Sequence, residues 1–470
     1  MTAFVDREVE MAAFRERFAK PSSLSLLYGR RRVGKTFFLQ HILKGNPDTV
    51  YFLADESPAA SLARRFHTEV RHAGRGGAAW ESAVSADWGT LLTLLVQGAA
   101  LDARPLFLVF DECQYILDAE PPFASVIQRL WDQFGPRGGL HIVLCGSALG
   151  VLSRLGDEGQ PLYGRFDLRA RMAPFDYRLA AAFAGGWTPT ERFLLYGVFG
   201  GLARHLAEVD PARPLSENAV RAILGPLSPL HEAALDVLRS ERLTSRSDAA
   251  GVLGCIAEGE TVFGAIAARL GMTSNRLDHV LKELSDLEIV RREVRFGDRE
   301  GSRYTRYRCA DPFVRFWFRF VGPNRGALAG APAGLVWRER IEPRLGDYMG
   351  PIFEEIARQA VVGGVLLRRF GPIDEAAPYW SRDHSTEIDL VARSSGTLVF
   401  IECKWRAGGL TDAAALDRLR AHVARSGLGK GDDGPRLALI SAGGFADQLK
   451  RAAEAERCML VGPGDLLAEG

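Results

Sequence analysis

The stretch LSLLYGRRRVGKTFFLQHIL, residues 24–43, joins an apolar run to an amphipathic one through Gly29, Arg30, Arg31, Arg32, Val33, Gly34, Lys35 and Thr36. Residues 24–28 read as a short buried strand, and the residues from Lys35 onward read as a helix that opens straight from the loop. The spacing is G-x-x-x-x-G-K-T. Glycines let backbone N–H groups turn inward around a phosphate, and the helix N-terminus adds its partial positive charge. On this reading residues 29–37, ending at Phe37, wrap a nucleotide; Lys35 reaches the β/γ oxygens, and the Thr36 hydroxyl ligates Mg²⁺. The cofactors expected here are ATP and Mg²⁺. A chance glycine loop is disfavoured by the strand before it and the helix after it.

Working outward, LFLVFDEC (106–113) is a second apolar run, ending in Asp111 and Glu112, and LHIVLCGS (140–147) is a third, ending in Ser147. Buried parallel strands read as continuous apolar runs, and ligands gather at their carboxyl ends. Asp111 is therefore expected as a second Mg²⁺ partner, Glu112 as the base that orients the attacking water, and Ser147 as a polar contact to the γ-phosphate or that water. The fold class expected is α/β, with a parallel P-loop sheet.

The order of phosphate loop, Asp-Glu strand and polar-tipped strand resembles that of an AAA+ ATPase. FVDREVEMAAF (4–14) is similar to the box with which the archaeal-type ATPases of that class line the adenine pocket. PLYGRFDLRARMAPF (161–175) is similar to that family's stretch before the last core strand, and YGVFGGLARHL (196–206) to its lid turn. The resemblance implies Arg165 as an arginine finger acting in a homo-oligomer and Arg204 as a lid sensor, although Ala203 stands where the family often has proline. Either arginine can equally be a solvated surface charge.

The 470 residues suffice for about three domains; the hydrophobic share of 47% and charged share of 25% are globular averages. No apolar run is long enough to span a membrane, and acids occupy the place of a signal's basic region, so the expectation is a soluble, cytoplasmic protein. The six cysteines show no C-x-x-C pair and no zinc spacing. A net charge of +1 leaves any nucleic-acid contact to local patches.

From residue 231 the pattern changes to short helices. A helix at about 261–269, a turn at Gly271 and a second helix capped by Thr273 or Ser274 precede two alternating strands around a Gly-Asp-Arg-Glu-Gly tip. This reads as a winged helix. Leu277, Val280, Leu281 and Leu284 share its inner face, leaving Asn275 and Arg276 outward. Seven arginines against three acids between 289 and 308 give a local balance of +4. The expected DNA contacts are Asn275, Arg276, Arg291, Arg292, Arg295, Arg299 and Arg303, mostly to phosphates. A protein–protein adaptor is the alternative. The aromatic DPFVRFWFRFV (311–321) is expected in a core, and GPNRGALAGAPAG (322–334) as a loop or linker.

Beyond it, STEIDLVAR (385–393) and VFIECKW (399–405) alternate in period two, so Asp389 lies on one face of its strand and Glu402 with Lys404 on one face of the next. Side by side, the strands bring the two acids together as oxygen ligands for Mg²⁺ or Mn²⁺, with Lys404 beside a scissile phosphate. D-x(12)-E-x-K in an α-β-β-α-β order resembles the restriction-endonuclease-like fold and its PD-(D/E)XK site, with Glu354 as the helical acid that family often adds. Ile388 stands where its proline often does.

The boundaries expected are 1–178 for the ATPase core, 179–230 for a helical lid, 231–321 for the winged helix with its linker, and 322–470 for the nuclease-like α/β domain. The function expected is an ATP-hydrolysing, DNA-engaging protein with a metal-dependent nuclease-like domain. The alternative is a signalling NTPase switch acting through protein partners, with an inactive nuclease fold.

Overall fold

The computed structural model describes residues 7–75, 80, 82–83, 87–240, 243–428 and 435–468. The chain divides into two compact units, Met1–Pro174 and Phe175–Gly470.

In the first unit five strands form one sheet: β1 (Ser23–Tyr28), β2 (Thr49–Leu53), β3 (Leu106–Asp111), β4 (Leu140–Gly146) and β5 (Leu168–Arg171). Their spatial order is β2-β3-β4-β1-β5, and every pairing is parallel. The apolar runs at 24–28, 106–110 and 140–146 are the three central strands, buried along nearly their whole length as strands covered on both faces must be. β5 alternates between half-buried and exposed residues, as an edge strand does. Over the sheet, Phe52, Phe66, Trp88, Phe110 and Phe123 form an aromatic core with ring centroids 5.1–6.2 Å apart.

The second unit has two sheets. β6 (Val290–Val294) and β7 (Thr305–Cys309) form an antiparallel hairpin, preceded by helices Arg246–Glu258, Phe263–Leu270 and Ser274–Asp286. Gly271 ends the middle helix with φ 62, and Leu277, Val280, Leu281 and Leu284 are buried as the spacing predicts. Thr273 occupies the N-cap of the third helix, yet its hydroxyl makes no capping hydrogen bond.

The larger sheet contains β8 (Glu375–Trp380), β9 (Glu387–Ser394), β10 (Thr397–Lys404), β11 (Arg436–Ser441) and β12 (Met459–Val461), in the order β12-β11-β10-β9-β8. It is mixed: β8, β9 and β10 are antiparallel, while β10, β11 and β12 run parallel. The α-β-β-α-β order is thus extended by a strand at each edge. Helix Leu345–Val362 packs on it, carrying Glu354 and Glu355.

Residues 322–334, expected as a loop, contain helices Arg325–Gly330 and Ala333–Val336. Glycine and proline suggested a break, but alanine is the best helix former, and Leu328 and Val336 are buried in the core. Phe313 and Phe316, in the aromatic segment, are fully buried in the same core. That core runs continuously from Phe175 to Leu466, so residues on either side of the expected boundaries at 230 and 321 pack together.

Candidate functional site

In the first unit the loop between β1 and helix Lys35–Ile42 adopts two left-handed conformations, at Arg32 (φ 70) and Gly34 (φ 102). At Gly29 the demand is for space: a Cβ there would lie 2.2 Å from the carbonyl oxygen of Met172. Lys35 is 5% exposed, and its Nζ donates to the carbonyls of Gly29 at 2.8 Å and Arg30 at 2.9 Å. Burial pulls its pKa below the ordinary lysine value, while Cys145, Glu112 and Asp111 act to hold its proton. Phe37 is exposed at the start of the helix, whereas Val33 and Phe38 turn inward. Arg31 Nη2 donates to the Tyr115 hydroxyl at 2.8 Å.

Asp111 ends β3 fully buried. Thr36 Oγ1 and the Tyr51 hydroxyl both donate to its Oδ2, at 2.7 and 2.6 Å. Burial and the Asp111 charge raise the Tyr51 pKa far above that of a free phenol, so Tyr51 stays a donor at every working pH. Glu112 follows with φ 52, a left-handed conformation that costs a non-glycine residue. Its Oε2 accepts from Ser147 Oγ at 2.9 Å and from Gln114 Nε2. Gln114 also reaches Ser147, donating from Nε2 to Oγ at 3.2 Å and accepting the Ser147 N–H at 3.3 Å. The phosphate loop, Thr36, Asp111, Glu112 and Ser147 thus converge. Tyr51 and Gln114 join them although nothing in their local sequence marks them.

The two arginines are otherwise engaged. Arg165 grips Asp132 with a two-pronged contact, Nε to Oδ1 at 2.8 Å and Nη2 to Oδ2 at 2.9 Å, which raises its already high pKa. Arg204, in the second unit, pairs with Glu208 one helical turn on. Phe4, Val5 and Asp6 of the expected adenine box lie outside the described residues; Arg7 and Phe14 lie inside them, Arg7 donating to the carbonyl of Ala173 at 2.8 Å and Phe14 buried.

In the second unit, the β9–β10 register ends by pairing Ile401 with Leu390, and Glu402 and Asp389 are the residues that follow that pair on the two strands. Lys404 Nζ donates to Glu402 Oε1, and Asp389 Oδ2 accepts the Cys403 backbone N–H at 2.7 Å. Burial, then the Glu354 and Glu402 charges, raise the Asp389 pKa well above the ordinary carboxylate value. Burial opposes the Lys404 charge, but Glu402 and Asp389 outweigh it and raise its pKa. Glu354, expected as a third metal ligand, instead faces Arg308, its Oε2 3.1 Å from Nη1. Among the described residues no three acid, histidine or cysteine side chains stand together as a ready metal site. Glu354 stays near enough for its charge to act on Asp389, while its carboxylate is paired with Arg308.

The expected DNA contacts separate into two groups. Asn275 and Arg299 are exposed. Arg303 is exposed as well, its guanidinium 5.3 Å from the Tyr304 ring. Arg382, from the turn after β8, lies at the same distance from that ring and was not singled out in the sequence. Arg276 is held by Asp248 through two contacts of 2.7 Å, and Arg292 braces the hairpin tip through the carbonyls of Glu300 and Ser302. Arg295 and Arg291 turn inward, against the expectation. Arg295 donates to the Trp380 carbonyl at 3.2 Å and to Asp298 at 2.9 Å. Arg291 bridges Glu293 at 2.6 Å and Glu355 at 2.7 Å. The reason is that the hairpin packs on the larger sheet: the N–H of Phe296 donates to the Pro378 carbonyl at 2.8 Å, and Arg306 lies 4.4 Å from the Trp380 ring centre.

Residues 4–209 match a family described as an ATPase domain predominantly from Archaea, and residues 317–416 match one described as archaeal and bacterial proteins of unknown function. An uncharacterized protein of Methanocaldococcus jannaschii is 24% identical over 410 residues, covering 86% of this chain and 88% of that protein. A Walker-type ATPase of Pyrococcus abyssi superposes with a TM-score of 0.50 at 20% identity, over 67% of this chain and 96% of that one. The ORC2 protein of Aeropyrum pernix, in its ADPNP–ADP complexes, gives a TM-score of 0.47 at 16% identity, over 70% and 98%. No described helix is long and apolar enough to cross a membrane. Residues 4–209 thus resemble an archaeal ATPase domain in sequence, and the first unit carries the phosphate loop on a five-stranded parallel sheet.

Proposed function

We propose that this protein hydrolyses ATP in its first unit and engages DNA with its second, where Asp389, Glu402 and Lys404 form a nuclease-like centre. The observation that carries the ATPase reading is the convergence on Asp111 and Glu112: Thr36 meets the first at 2.7 Å and Ser147 the second at 2.9 Å. Thr36 and Asp111 suit Mg²⁺, since both present hard oxygens at one point beside the phosphate loop. When bound, that ion neutralises charge on the β- and γ-phosphates. Lys35 exchanges its two carbonyl partners for phosphate oxygens. Glu112, with Ser147 and Gln114 fixing its carboxylate, orients the attacking water and accepts its proton. An arginine from a neighbouring copy completes the charge stabilisation, and Arg165, on an exposed face, is the candidate.

DNA engagement is supported by the exposed Asn275, Arg299, Arg303 and Arg382, two of whose guanidinium groups, from Arg303 and Arg382, lie 5.3 Å from the Tyr304 ring. Contacts of this kind act mainly on phosphates and weaken with salt. The acid pair suits one divalent cation, beside which Lys404 would face a phosphodiester.

A second reading is a nucleotide-controlled switch that keeps the nuclease fold without cutting. One observation favours it: Arg308 occupies Glu354, and a backbone N–H occupies Asp389. A paired assay of ATP hydrolysis and DNA cleavage on wild type, Lys35→Ala and Asp389→Ala decides between them. The nuclease reading requires cleavage of some single- or double-stranded DNA with Mg²⁺ that Asp389→Ala removes; intact DNA throughout leaves the switch.

A further inference from the structure

Between the hairpin and helix Leu345–Val362 lies a cavity of about 340 Å³, within the range of small-ligand pockets. Four guanidinium groups line it, from Arg291, Arg306, Arg308 and Arg315, against the carboxylates of Glu354, Glu355 and Glu387. Each carboxylate is already taken. Glu354 faces Arg308; Glu355 is shared by Arg291 at 2.7 Å and Arg358 at 2.7 Å; Glu387 receives Arg306 at 2.5 Å.

The surplus is therefore on the donor side. Arg315 has no carboxylate within ion-pair distance among the described residues; its hydrogen bond is a long one, 3.3 Å, to the carbonyl of Tyr348. Arg306 adds a buried Nε–H that meets no acceptor among the described residues. Buried donors without partners are costly, and a guanidinium fork matches the oxygens of a tetrahedral oxyanion. Among the described residues no aromatic ring lines the cavity, the Tyr348 ring lying behind Arg315 at 5.1 Å, so nothing in it would stack a base. A metal cation would meet four guanidinium groups against three carboxylates that are already paired.

We propose that this cavity binds a phosphate group, held chiefly by Arg315 and Arg306. The source is either free phosphate or the phosphorylated end of a nucleic-acid strand. The assignment rests on neither the ATPase nor the nuclease reading.

The test uses the full chain carrying Lys35→Ala, so that the phosphate loop does not dominate the signal, and measures binding by calorimetry. The probes are inorganic phosphate and one oligonucleotide with either a 5′-phosphate or a 5′-hydroxyl. Inorganic phosphate should bind, and adding Arg315→Gln should weaken it by at least about tenfold, with Arg315→Lys, which keeps the charge but not the fork, falling between. Should Arg315→Gln lose its cooperative thermal transition, Arg315→Lys and Arg306→Lys carry the comparison. Tighter binding of the 5′-phosphorylated strand, lost on changing Arg315, assigns the site to strand ends. Equal binding of the two strands, with inorganic phosphate still dependent on Arg315, assigns it to free phosphate. Phosphate affinity unchanged in all the arginine variants, or no binding to the Lys35→Ala protein up to about 10 mM, overturns the proposal.

Discussion

The nucleotide site of the first unit and the acid pair of the second draw on similar chemistry and are prepared differently. The side chains that hydrogen-bond Asp111 are neutral donors, Thr36 and Tyr51, and the nearby Lys35 amine bonds loop carbonyls instead of its carboxylate. Around Asp389 and Glu402 the neighbours are charged: Lys404 sits on Glu402, and the arginines that reach Glu354 and Glu387 come from the hairpin. Neutral partners leave a carboxylate ready for a cation, whereas cationic partners must be displaced or moved first. The first site is poised by its own sheet. The second depends on where the hairpin sits.

The sharpest way to break this contrast is Lys35→Ala, which should reduce ATP hydrolysis by roughly 10³-fold in a phosphate-release assay. Hydrolysis near the wild-type rate would mean that the phosphate loop is not the working site. Glu112→Gln should cost about 10²-fold in turnover while leaving ATP bound, measured as retained nucleotide after gel filtration. If ATP retention fell as far as turnover did, Glu112 would be a binding group rather than the base.

For the second unit, Glu355 gives a pH test. Burial opposes its charge, but Arg291 and Arg358 hold its pKa at about 2, below the ordinary 4.5. A depressed pKa contributes stability that is complete above pH 4.5 and is lost as pH falls toward 2. The stability gap between wild type and Glu355→Gln should therefore be as much as about 3 kcal/mol at pH 7 and close progressively on acidification, read from urea midpoints. A gap that ignored pH would mean the carboxylate is not paired in solution. The smallest effect expected is from Arg308→Gln, which releases Glu354 toward the acid pair. Mg²⁺ affinity in a Lys35→Ala background should rise by about tenfold. No change, or a fall, would show that Arg308 is not what diverts Glu354.

How much of this was legible in the sequence follows the same divide. The phosphate loop, Asp111, Glu112 and Ser147 could be read because each lies in or at the end of an apolar strand, and a parallel sheet brings strand ends together. Tyr51 and Gln114 could not, since their roles depend on β2 lying beside β3 and on the left-handed turn at Glu112. Period two was enough to put Asp389 and Glu402 just past the last pair of neighbouring strands. It could not show that Arg291 and Arg308 also pair with Glu355 and Glu354 of a distant helix, because charge counting along a chain treats every arginine as solvated. The helices in 325–336 were missed for a related reason: composition suggested a break where burial of Leu328 and Val336 decided the outcome.

The continuous core from Phe175 to Leu466 bears on how such a protein can be inherited. Phe193, on helix Pro189–Phe199, packs 5.8 Å from Phe353, and the Tyr177 hydroxyl donates to the Leu466 carbonyl at 2.6 Å. A recombination event that moved only the last 150 or so residues to another gene would strip both halves of their cover, exposing apolar surface worth roughly 25 cal/mol per Å². The mixed sheet of residues 375–461 is therefore expected to travel between genomes together with the helices that begin at Tyr177, as one cargo.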